Sequence, residues 1–240
     1  MTGQPMSSQR DGRLGVGIIG SGRVGPVLGQ ALAGAGHAIV GISAVSQQSR
    51  DRAEALLPGV PILTVPDIIE RSELVLLCVP DDQLADLVSG LADAGAWHAG
   101  QIVIHTSPNF GLAVLAPARA VGAIPIALHP AMAFTGTSVD VARLTDCCMA
   151  VTAPAPVLPI GQALAVEMGA EPVVIADDDR ASYAEAVATA SSFSVAIVNQ
   201  ARALLEQAGV DDTARVLGPI IRSTIDNTLM NGRVPGEIDA

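Results

Sequence analysis

The chain has 240 residues, 50% of them apolar, with 13 basic against 24 acidic residues and a net charge of -11. That is enough apolar material for one large domain, or for one domain and a smaller partner, to fold without staples. The acidic balance argues against a nucleic-acid partner, because phosphate-backbone binding needs clustered cations, and the absence of any lysine excludes mechanisms that require a lysine acid, base or Schiff base.

Residues 1–12 are polar and read as a flexible N-terminus without the apolar core of a signal peptide. From Leu14 onward, short β-branched runs alternate with alanine-rich helical stretches, the pattern of a parallel sheet covered by helices. The expected strands are Leu14 to Ile19, Ala38 to Ser43, Ile62 to Val65, Leu74 to Val79, Gln101 to Thr106, Ile124 to Leu128, Cys147 to Thr152 and Pro172 to Ile175. The charged break Asp177-Asp178-Asp179-Arg180 then divides a domain over 13–177 from a smaller all-helical domain over 178–240. That second domain begins with a long helix over Tyr183 to Gln207, which has no proline or glycine until Gly209. Its apolar content predicts burial on several sides. Glu185, Thr189, Ser192 and Asn199 recur at i, i+4, i+7 and i+14 and form one polar stripe, as expected of a surface lining a cleft. Ser191, Ser194 and Thr189 fit simple back-bonding to the preceding turn.

Cys78, Cys147 and Cys148 are odd in number and two are adjacent, which reads as buried thiols in a reducing compartment. The histidines His37, His98, His105 and His129 are scattered, so no metal site is expected. No stretch is read as apolar for the length of a membrane span; the expectation is a cytoplasmic protein with no membrane partner.

The first strand runs directly into Gly20-Ser21-Gly22-Arg23-Val24-Gly25 and then a helix pattern. In that context a GxGxxG turn reads as a phosphate-binding fingerprint. Gly20 allows the sharp turn, Gly22 the approach of a pyrophosphate and Gly25 the close packing of helix on strand, while Pro26 suits the first helical turn. At the end of the second strand, an NAD site places an acidic residue against the ribose. Here Ser43, Ser46, Ser49 and Arg50 stand instead. One charge-assisted hydrogen bond to a 2'-phosphate, worth about 1.5 to 3 kcal/mol, favours NADP over NAD by roughly tenfold or more.

Three further strands end in polar residues on the ligand-binding edge of such a sheet: Val79-Pro80-Asp81, His105-Thr106-Ser107 and His129-Pro130. Reduction of a carbonyl needs a proton donor and hydrogen bonds aimed at the developing alkoxide; His129 and Ser107 are the candidates, ahead of His105.

Together the glycine turn, "CVPDD", "HTS", "LHPAMAF" and the helix ending "LLEQAGV" resemble Rossmann-like oxidoreductases whose C-terminal half is a domain of unknown function. These are relatives of ketopantoate reductase, the 3-hydroxyacid dehydrogenases and pyrroline-5-carboxylate reductase. The resemblance spans the chain from Leu14 onward. It implies an NADP-dependent two-domain reductase with its site in a cleft, acting on a small oxo acid such as ketopantoate and dimerising through the helical domain. In that scheme His129 donates the proton or orients the carbonyl, Ser107 hydrogen-bonds it, and Asn199, Glu185 or Ser192 holds the substrate. The alternatives are an imine reductase like pyrroline-5-carboxylate reductase and a non-catalytic NADP-binding sensor. Pro108 replaces the glycine usual after "HTS", the long helix lacks the family's lysine, and the chain is expected to lack the last helices of its C-terminal domain.

Overall fold

The computed structural model describes residues 13–231; the expected flexible N-terminus lies outside them. Seven strands form one sheet: β1 (Gly15–Ile19), β2 (Ala38–Ile42), β3 (Leu74–Leu77), β4 (Ile102–His105), β5 (Ile124–Pro130), β6 (Cys148–Thr152) and β7 (Glu171–Val174). Their order is β2-β1-β3-β4-β5-β6-β7. All neighbours pair in parallel except β5 and β6, which run antiparallel.

The helices are α1 (Gly25–Gly34), α2 (Gln47–Leu56), α3 (Val65–Arg71), α4 (Asp81–Asp93), α5 (Ala116–Ala120), α6 (Ser138–Arg143), α7 (Leu158–Glu167), α8 (Arg180–Gln207) and α9 (Thr213–Asn231). Because β3 and β4 are buried throughout, their sequences are continuous apolar runs rather than alternating ones. Two apolar clusters result. One is built on Val16, Ile18, Leu28 and Leu76, the other on Ile19, Ile69, Val75 and Val103, so alternate residues of β1 and β3 serve different clusters.

The expected strand over 62–65 reduces to a single bridge between Ile42 and Ile62. The Thr64 side chain caps α3 by accepting the Asp67 N–H, and proline follows in the first turn, so local capping overrides the β-branched run. The thiols also differ from expectation: Cys147 is buried, Cys78 half-buried and Cys148, the first residue of β6, exposed.

The chain divides into two compact units, residues 1–185 and 186–240, a division that falls inside α8. Along α8 only Arg180 and Ala184 are buried. The expected burial on several sides is therefore not found among the described residues. With its preceding turn, α8 spans 31 residues and reaches a mean hydropathy of 1.2 over an 18-residue window. By length and composition that is enough to cross a membrane, contrary to the expectation that no stretch stays apolar so long.

Candidate active site

The sheet changes direction of growth at β1, which has β2 on one side and β3 on the other. Ligands of doubly wound sheets bind at such switch points, beyond the carboxyl ends of the strands. The glycine turn sits there. Gly20 has φ +105°, and a Cβ on it would lie 2.8 Å from the Cys78 carbonyl carbon. A Cβ on Gly25 would collide with the Gly20 carbonyl oxygen, whereas one on Gly22 would meet nothing within 4 Å. Two glycines thus serve the protein's own packing, and Gly22 leaves open space.

Gly22, Val79 and Pro80 form a wall shared by two cavities. The first, of about 450 Å3, is lined by Gly20, Ser21, Ser43, Ser46, Ser49 and Arg52 among others. Ser43 holds the turn itself, its Oγ accepting the Gly20 N–H at 2.9 Å. Ser46 caps α2 by accepting the Ser49 N–H at 3.1 Å. Arg52 donates to the Ser21 carbonyl at 3.1 Å, while Arg50 is exposed on α2 and not part of the lining. The cation in this groove is therefore Arg52, one that the sequence reading did not select; its i+6 spacing from the Ser46 cap was the available signal.

A dinucleotide fits this groove on three observations. Ser21 Oγ is buried with no hydrogen-bond partner, α1 begins without a side-chain cap or an acidic first turn, and Gly22 leaves space for an approaching phosphate. Gly20, Ser21, Gly22 and Gly25 would form the phosphate turn, with Ser46, Ser49 and Arg52 beside the ribose.

The second cavity, of about 310 Å3, is lined by Arg23, Val24, Asp81, Thr106, Ser107, His129 and neighbours. All of its lining falls in the first unit. Ser107 is buried and its Oγ accepts the Asn109 N–H at 3.1 Å; the Asn109 amide donates to Asp81 at 2.5 Å. His129, on β5, places Nδ1 2.7 Å from the hydroxyl of Tyr183, a residue that the sequence reading did not select and that adjoins the lining through His129 rather than forming part of it. Tyr183 is the only tyrosine in the chain. Its ring meets that of His129 nearly edge-on, 5.6 Å between centroids.

Burial lowers the His129 pKa to about 4, with the Arg180 charge acting in the same direction and Asp81 against it, so this imidazole is neutral at pH 7. Burial raises the Tyr183 pKa, opposed by Arg180, so the phenol keeps its proton. His105 is fully buried, with Nε2 3.1 Å from the Gly111 carbonyl, and does not line the cavity. Burial likewise pushes the Cys78 thiol to about 12, which removes it as a nucleophile. Of the proposed stripe, Glu185, Ser192 and Asn199 are all exposed, and Ser192 and Asn199 belong to the second unit.

A mainly parallel sheet with a glycine turn at its switch point defines a doubly wound α/β domain of the Rossmann type. The chain belongs to the Rossmann-like domain family, whose profile matches residues 1–130; residues 147–235 match the Domain of unknown function DUF2520. No curated protein sequence matches the chain. Solved structures of similar fold include a Bacteroides fragilis protein provisionally named an NADP oxidoreductase, at 16% identity and TM-score 0.74, covering 90% of this chain and 80% of that one. A reductive aminase from Aspergillus terreus in complex with NADPH and ethyl-5-oxohexanoate aligns at 17% identity and TM-score 0.69, covering 95% and 81%. The 1-pyrroline-5-carboxylate reductase of Streptococcus pyogenes aligns at 18% identity and TM-score 0.70, covering 93% and 82%.

Proposed function

We propose that this protein is an NADPH-dependent reductase of a small carbonyl or imine compound. The observation that carries the reading is the shared wall at Gly22: one side is a phosphate-compatible groove holding Arg52, the other a cavity holding His129 and Ser107. Cofactor-bound and reductase relatives of the same fold, the NADPH-bound reductive aminase and the pyrroline-5-carboxylate reductase among them, support it.

Bound in the groove, NADPH would supply a hydride to the substrate carbon. The chain's residues handle the proton. With its own proton on Nδ1, neutral His129 donates to the Tyr183 oxygen across 2.7 Å, leaving the Tyr183 O–H free to protonate the substrate oxygen or nitrogen. Ser107 already accepts the Asn109 N–H, so its own hydroxyl proton is available for the substrate carbonyl. A neutral imidazole is a poor general acid, which moves the donor role from His129 to Tyr183.

Between substrates, an imine is favoured by the chemistry of the site: its nitrogen is more basic than a carbonyl oxygen and takes the Tyr183 proton more readily, which suits a cavity without lysine or charged histidine. A small oxo acid such as ketopantoate is the second reading. Steady-state NADPH oxidation over a panel of oxo acids, ketones with amines, and cyclic imines, with the products identified, separates the two. Tight NADPH binding with no turnover on any of them would instead indicate a nucleotide-binding sensor.

The second unit supports a homodimer. Phe193, Ile197 and Leu204 on α8 are each at least 60% exposed, and their i, i+4, i+11 spacing puts them on one face. Monomeric soluble proteins rarely leave such a stripe uncovered. The reading assigns it to a second copy of the chain.

A further inference from the structure

Arg180 opens α8 as a buried cation with no hydrogen-bonded counter-ion among the described residues, and the only carboxylate acting on its charge, Asp177, does so from a distance. Its side chain is 2% exposed, and Nε and both terminal nitrogens lack hydrogen-bond partners among the described residues. It takes part in none of the ion pairs found among them. A buried charge without a partner is costly, and groups held at such cost cluster at functional sites.

What the guanidinium faces is an aromatic ring. Its Cζ lies 5.8 Å from the centroid of Tyr183, whose hydroxyl is the atom bound to His129. Over a neutral phenol a guanidinium gains only the modest attraction of a cation for a π face. Over a phenolate it gains a full Coulomb pair in a poorly polarisable surrounding. Because its nitrogens are sealed from solvent, Arg180 needs no ligand to reach it in order to act.

We propose that Arg180 is a positioning residue for the proton donor, the buried counter-cation of the phenolate that Tyr183 becomes when it protonates the substrate. The proposal rests on the reading of Tyr183 as that donor. In the step, the Tyr183 O–H bond breaks and an O–H or N–H bond forms on the substrate. The electron pair stays on the Tyr183 oxygen, to which the His129 Nδ1–H donates and toward which the Arg180 charge is attractive, and water returns the proton after product leaves. The other charged or titratable groups facing this cluster are Asp177 toward Arg180, Asp81 toward His129 and His105, and Cys147 and Cys148 toward Tyr183.

The sole tyrosine makes a direct test possible without turnover. The titration of Tyr183 is followed by phenolate absorbance, and that of His129 by NMR of its assigned imidazole, in wild type, Arg180→Met, Arg180→Gln and Arg180→Lys. Loss of the cation should move both titrations upward together by about one pH unit, with Arg180→Lys near wild type. In turnover, both neutral variants should lose at least tenfold in kcat with the KM for NADPH unchanged, and lysine should restore much of it. Folded neutral variants with unmoved titrations would overturn the proposal. So would unfolding of both, which would make Arg180 a structural anchor. If wild type has no activity while the titrations shift as expected, the reductase reading fails and the electrostatic pairing stands.

Discussion

His105 and His129 end neighbouring strands, and burial drives both to a pKa of about 4. For His105 the smaller influences are the Gly111 carbonyl, Asp81 and Asp177 raising the value and Arg180 lowering it. A histidine whose folded pKa is depressed binds fewer protons folded than unfolded. Its contribution is intact above the ordinary value of about 6.5 and is lost as pH falls toward 4. Denaturant unfolding monitored from pH 7 to pH 4 should therefore show falling stability, on the order of 3 kcal/mol from His105 alone, and His105→Gln should flatten that slope. Replacing His129 with Ala should lower kcat at least tenfold while leaving NADPH affinity nearly unchanged, as measured by kinetics and by nucleotide titration. His129 and Ser107 were legible as polar residues ending apolar strands. Tyr183 and Arg180 were not, because they stand beside a charged break and match no motif. Their importance arises only when the start of α8 meets β5, a contact 54 residues apart in sequence.

At the scale of elements, the glycine turn makes a prediction with two opposite parts. Gly25→Val drives a side chain into the Gly20 carbonyl and should destabilise the fold by about 1 to 3 kcal/mol, read by thermal unfolding. Gly22→Val enters open space, so it should melt like wild type and lose NADPH binding. On α2, Arg52→Gln should reduce the preference for NADPH over NADH by roughly tenfold, while Arg50→Gln should leave it unchanged; the ratio of the two dissociation constants checks both. The turn and most of the strands could be read from sequence because buried parallel strands are unbroken apolar runs closed by turn residues. The run at 62–65 could be misread because Thr64 and Pro66 start a helix there, and capping competes with β-propensity over so short a span. Choosing Arg50 over Arg52 required knowing which side of α2 faces the groove, and two residues along a helix turn a side chain by about 200°.

On the scale of the whole molecule, the sequence marked Tyr183 to Gln207 as one long helix, which begins three residues earlier, at Arg180, yet composition could not say what covers it. Only two of its residues are buried among the described residues. If a second copy covers the Phe193, Ile197 and Leu204 face, Phe193→Glu should convert a dimer to a monomer in sedimentation equilibrium without lowering the melting temperature of the first unit. A wild-type protein that sediments as a monomer would remove the dimer and leave that face for another partner.

Hydride transfer beside Gly22 leaves an isotopic record on the product. Wild-type protein is given NADPH deuterated at the nicotinamide C4 position together with the panel of imines and oxo acids, and the products are weighed by mass spectrometry. The expected product carries one deuterium on the former imine or carbonyl carbon, and Tyr183→Phe forms it at least tenfold more slowly. NADPH that binds tightly but keeps its label against every substrate would contradict hydride transfer.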